Sequence, residues 1–167
     1  PQTVTVTAFN DATPESQESV TLALTTHDAA TAAEYDSVDP ADVVVIIPAN
    51  DSVGVTVSKT TMSVVEGATS TFTVVLDNVP SGSVAVRVTG NADVTLTGDG
   101  AQVGSDVFVR DLTFTTGNWN TPQTVTVTAF NDATPESQES VTLALTTHDA
   151  ATAAEYDSVD PADVVVI

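Results

Sequence analysis

The chain has no cysteine, so neither disulfides nor thiolate metal sites contribute to it. It is almost as poor in bases: three Lys and Arg stand against 23 Asp and Glu, for a net charge of −20. Lys59, Arg87 and Arg110 are the bases. Nucleic acid and anionic membrane both require basic patches, so neither is expected as a partner. The surplus of acid makes cations the natural partners, or serves solubility in a salty habitat. Aromatics make up 5% of the residues, with one tryptophan, Trp119. No signal peptide or membrane-spanning run is present, and a piece cut from a longer protein would show neither.

Catalytic residues are scarce as well. Each copy of the repeat described below holds one histidine, His27 or His148, beside an aspartate in an acidic stretch. No serine stands in a Gly-x-Ser-x-Gly setting, and the carboxylates lie in polar loops with no apolar pocket to raise a pKa. The chain is read as a non-enzyme.

What the chain does have is a repeat. The 46 residues Pro1–Ile46 recur without a change at Pro122–Ile167, an offset of 121 residues. Such identity marks a cut from a tandem array with one whole domain per repeat. The expected organisation is therefore 1–46 as the C-terminal strands of a preceding repeat, 47–52 as a linker, and 53–167 as a complete repeat. The sequence from Ile47 to Ser52 has turn chemistry and no apolar period. The first 46 residues are too few to bury a core alone. They carry eight acids and no base. Their bare strands predict docking on a neighbouring repeat, in cis or by strand exchange in trans.

Elsewhere Thr and Val alternate, the period-two signal of half-buried strands. The pattern predicts strands over 53–58, 62–66, 69–77, 83–89, 93–97, 107–114, 123–130, 140–147 and 164–167. Residues 98–106 read as a glycine-rich loop. Residues 148–163 read as a connection with one helical turn. Short strands at this spacing predict an all-β, immunoglobulin-like antiparallel β-sandwich of Greek-key type. Phe72, Val74, Leu76, Val84, Val86, Val125, Val127, Val141, Leu143 and Leu145 are its expected core. Trp119 should cover one end of that core. Lys59, which interrupts a strand, reads as exposed rather than as the buried lysine of an isopeptide bond.

The acids gather in loops. Asn131–Glu139 (NDATPESQE) holds Asp132, Glu136 and Glu139; Glu66 precedes Gly67 at a strand end; Asp99 and Asp106 lie in the glycine-rich loop. Calcium takes six to eight oxygens, and loops at one end of a sandwich can supply them. No EF-hand pattern is present.

VTVSKTTMSVVEGATSTFTVVLDNVP, LTFTTGNWNTPQTVTVTAFNDATPESQESVTLAL and VVVIIPANDS together resemble a Calx-beta-type repeat of large bacterial surface proteins, over the whole 121-residue unit. The resemblance implies an immunoglobulin-like sandwich that binds calcium through Glu66, through Asp132, Glu136 and Glu139, and more loosely through Asp99. Asp51 matches the acidic end of the preceding copy, where Asp11 and Glu15 repeat the loop acids. Asn131, Ala133 and Asn50 stand where calcium-rich members carry aspartates, which predicts fewer or weaker ions. The implied function is a calcium-rigidified spacer or stalk in a secreted, cell-surface adhesin-like protein. The alternative is a carbohydrate- or surface-binding adhesion module, which needs exposed aromatics on one face.

Overall fold

The computed structural model describes residues 1–26, 33–35, 38–131, 138–148 and 153–167. They form two compact units, Pro1–Asp51 and Ser52–Ile167.

The second unit is a β-sandwich. One sheet has four strands in the order β3 (Val55–Val57), β5 (Thr69–Leu76), β10 (Gln123–Ala129) and β7 (Val94–Gly98). The other has six, in the order β4 (Thr61–Met62), β12 (Val164–Val166), β11 (Val141–His148), β6 (Val84–Thr89), β9 (Asp106–Phe114) and β8 (Ala101–Val103). Pairing is antiparallel except between β12 and β4. The chain changes sheets between β3 and β4, at the break that Lys59 and Thr60 make in the alternation. Lys59 is exposed and donates from Nζ to the Thr71 carbonyl at 2.6 Å.

Alternation places every second residue inward. Phe72, Val74 and Leu76 of β5 and Val125 and Val127 of β10 face Val84, Val86 and Val88 of β6 and Leu143 and Leu145 of β11, all buried. The whole expected core is buried, joined by Leu96, Leu112, Phe114, Tyr156 and Val164. Trp119 packs half-buried against that core, and its carbonyl accepts the Leu76 N–H at 3.1 Å. The glycine-rich loop differs from expectation, because Ala101–Val103 pairs with β9 as β8. His148 ends β11 rather than lying in the connection, and is exposed. The helical turn is the 3-10 turn Ala154–Tyr156.

Among its described residues the first unit has a two-stranded sheet, β1 (Glu18–Leu22) with β2 (Val43–Ile47), and a 3-10 turn at Ala33–Tyr35. Ile47, expected in the linker, ends β2. Residues 1–8 form no strand there, although the same sequence at 122–129 forms β10.

Candidate functional site

The sandwich has two ends, fixed by strand register. At one end Thr69 faces Thr128 and Val94 faces Ala129. At the other, Val74 faces Gln123 and Gly98 faces Val125.

Glu66 stands at the first end, in a turn closed by the Ala68 N–H donating to the Val65 carbonyl at 2.8 Å. Gly67 has φ +71° at the third turn position, the type II geometry that favours glycine. The Gly67 N–H donates to the Ala129 carbonyl at 3.1 Å, which ties the turn to β10. Asp93 enters β7 at the same end; its carbonyl accepts the Phe130 N–H at 2.7 Å, and its Oδ2 accepts from Asn91 Nδ2 at 2.6 Å. Glu139 lies in the segment that leads into β11. Glu66, Asp93 and Glu139 line one cleft of 460 Å³, with Val64, Phe130 and Ile167 as apolar walls. Asp93 escaped the sequence reading because it opens a strand rather than standing in an acidic loop. Asp132 and Glu136, the remaining loop acids, lie outside the described residues.

Asp99 is at the opposite end. Its N–H donates to the Thr124 carbonyl at 2.8 Å, and its Oδ2 accepts the Thr124 N–H at 2.7 Å. The Arg110 guanidinium donates to the Gly98, Asp99 and Gly100 carbonyls. Gly98 has φ +103°, and a Cβ there would meet the Thr124 carbonyl oxygen at 2.4 Å. The fold thus uses the Asp99 carboxylate to tie the chain into β10, far from Glu66.

In the first unit, Asp11, Glu15, Glu18 and Asp51 share one neighbourhood. The carboxyl of Glu15 is raised above its ordinary value by desolvation, then by the charges of Asp11, Glu18 and Asp51, and by a hydrogen bond with Asp11. Asp11 Oδ1 also accepts the Thr13 N–H at 2.7 Å, and Asn50 Nδ2 donates to Asn10 Oδ1, joining the acidic loop to the linker. Glu18 is the copy of Glu139, so the charges of two further loop acids and of Asp51 act on Glu15.

Calcium needs six to eight oxygens. Among the described residues no group of three or more His, Asp or Glu side chains is arranged to hold a metal ion. The bases are committed elsewhere: Arg87 forms a two-pronged ion pair with Asp111, Nε to Oδ1 at 2.7 Å and Nη2 to Oδ2 at 2.8 Å. Among the described residues no helix is long and apolar enough to cross a membrane.

No family model and no curated protein matches the chain. Among solved structures it is similar to the solution structure of CaCohA2 from Clostridium acetobutylicum, with 18% identity over 71% of this chain and 91% of that one and a TM-score of 0.44.

Proposed function

We infer that this chain is part of a spacer: a row of 121-residue sandwich repeats in a long secreted, cell-surface protein of Calx-beta type, stiffened by calcium at its loops and joints. The observation that carries the reading is the placement of the two ends of the sandwich. β3 enters beside Asp77, whose N–H donates to the Gly54 carbonyl at 3.0 Å, at the Trp119 end. β12 leaves at the other end, where the Ile167 N–H donates to the Met62 carbonyl at 2.8 Å. Copies joined through such opposed ends run head to tail. A domain with neighbouring termini would instead fold the row back on itself.

Calcium enters this reading through charge. Glu15 sits among three other carboxylates, and their mutual repulsion is relieved by a divalent cation. Glu66 and Glu139, with Asp132 and Glu136 of the intervening loop, are the corresponding candidates in the second unit. Asp99, held by Thr124, is left out of the set. An extracellular module of this kind binds at about 10⁻⁴–10⁻³ M. The buried positions of Phe72, Phe114 and Tyr156 and the packing of Trp119 favour the spacer over a sugar-binding face.

Small-angle scattering on chains of one, two and four repeats tests the reading. A domain of this size has a diameter of about 35 Å. With calcium the maximum dimension should grow by about that length per repeat, and after chelation it should grow more slowly. A dimension that does not depend on repeat number would rule out a head-to-tail spacer.

A further inference from the structure

Asn10 and Asn50 are each followed by an aspartate, Asp11 and Asp51. Within the first unit the two asparagines meet: Asn50 Nδ2 donates to Asn10 Oδ1. The acids around them are crowded. Desolvation, and then the charges of Asp11, Glu18 and Asp51, raise the pKa of the Glu15 carboxyl. The amide pair therefore holds residue 50 beside the acidic loop against like-charge repulsion. An amide carries both a donor and an acceptor, so two of them bond directly and leave no charge to balance. Two carboxylates in the same places would repel and need a cation between them.

The approach to the pair is short and stiff. Ile47 ends β2, and a residue before proline is confined to extended backbone. Pro48 has its own φ fixed by its ring. Ala49 alone then stands between Pro48 and Asn50. Closing the pair freezes few torsions, so an exposed hydrogen bond of modest strength is enough to hold it. The second unit fixes its own end of the chain. The Gly54 carbonyl accepts the Asp77 N–H at 3.0 Å, a Cβ on Gly54 would collide with Asp77 Oδ2, and Val53 packs against the core. No more than two residues, Asp51 and Ser52, are left between the two fixed ends.

We propose that Asn10 and Asn50 form a latch that needs no ion and that sets the length of free chain between consecutive repeats. Closed, it ends the first unit at Asn50. Open, it lengthens the connection back to Pro48, at the end of β2. The latch rests on the spacer reading for its use, because a row of repeats is only as stiff as its connections. It consists of two uncharged side chains, so it is separate from the calcium that the neighbouring acids would take up.

Backbone ¹⁵N relaxation of the full chain tests it. In the unaltered chain the amides at positions 49 and 50 should have order parameters of about 0.85, those of rigid backbone, in calcium and in chelator alike. Asn50→Ala removes the donor, and the same amides should fall below about 0.6. Asn10→Ala removes the acceptor from the other side and should have the same effect. Asn10→Asp with Asn50→Asp keeps the shape of both side chains but sets carboxylate against carboxylate, and in chelator it should loosen as the alanine variants do. The amides of Val20 and Val45, in the hairpin, should keep their values throughout. Order parameters at 49 and 50 that neither alanine variant moves overturn the proposal. So does an unaltered chain that loosens there in chelator, which would assign the tie to an ion, and so does a double aspartate variant that stays rigid in chelator. None of these readouts depends on how the dimension of the molecule grows with repeat number, so the latch and the spacer can fail separately.

Discussion

Tyr35 and Tyr156 are one residue of the repeat in two surroundings. The Tyr156 hydroxyl donates to the Asn78 carbonyl at 2.6 Å beneath the 3-10 turn, and burial pushes its pKa up to about 12. Replacing it by phenylalanine removes this buried hydrogen bond, which costs about 0.5–1.5 kcal/mol. Urea unfolding of Tyr156→Phe should show that loss, and Tyr35→Phe should match the unaltered chain. Beside it, Glu155 accepts from the Ser81 N–H at 2.6 Å and from the Ser81 hydroxyl at 2.8 Å. Partial burial pushes its carboxyl up, but these hydrogen bonds outweigh that and hold it below 4.5. A depressed folded pKa gives stability that is complete above the unfolded value and is lost as pH falls through the folded one. The stability gap between the unaltered chain and Glu155→Gln should therefore be open at neutral pH and close on acidification below about 4.5. A gap that persists at low pH would mean that the Ser81 contact does not depend on the carboxylate.

At the scale of elements, the repeat separates local from borrowed structure. The β1–β2 and β11–β12 hairpins share register and side-chain ties, so their own residues dictate them. The Gln123–Ala129 strand does not form in its first copy, although its Thr-Val alternation is the cleanest in the chain. A central strand needs β5 and β7 to take its backbone groups, and alternation states only that a segment is ready to be a strand. Hydrogen exchange reads this directly. Amides 124–128 should be protected to the level of global unfolding, and amides 3–7 should exchange at nearly free-chain rates. Equal protection would contradict the difference. The same reasoning shows what the sequence could disclose. Most strand positions, the inward faces and the buried Phe72, Val125 and Leu143 were readable, because period two reports a face; the strand expected over 62–66 is an exception, for only Met62 of it lies in β4. β8 was hidden, because three residues between glycines carry no period. The separation of Glu66 from Asp99 was also hidden: both stand beside a glycine at a strand boundary, and nothing local says which end of the sandwich that boundary occupies. Asp11 and Glu15 were legible as neighbours in one loop. That the charge of Asp51, distant in sequence, acts on Glu15 is a property of the fold.

For the whole molecule the governing quantity is charge. A chain at −20 with three bases repels itself, and Arg87 and Arg110 are spent on Asp111 and on backbone carbonyls. The short outer strands β3, β4 and β8 limit pairing through the sheet edges. In the proposed spacer, stiffness comes from calcium held by the acids of the loops and joints. The central claim is that calcium binds those acids and stabilises the folded repeat. Thermal unfolding of the full chain, followed by circular dichroism in excess calcium and then in chelator, tests it most directly. At free calcium about 100 times Kd the gain is about 2.7 kcal/mol. For a domain of this size that raises Tm by roughly 10 °C, and chelator should reverse the rise. A Tm that is the same in calcium and in chelator would contradict the claim, and the acids would then serve solubility alone.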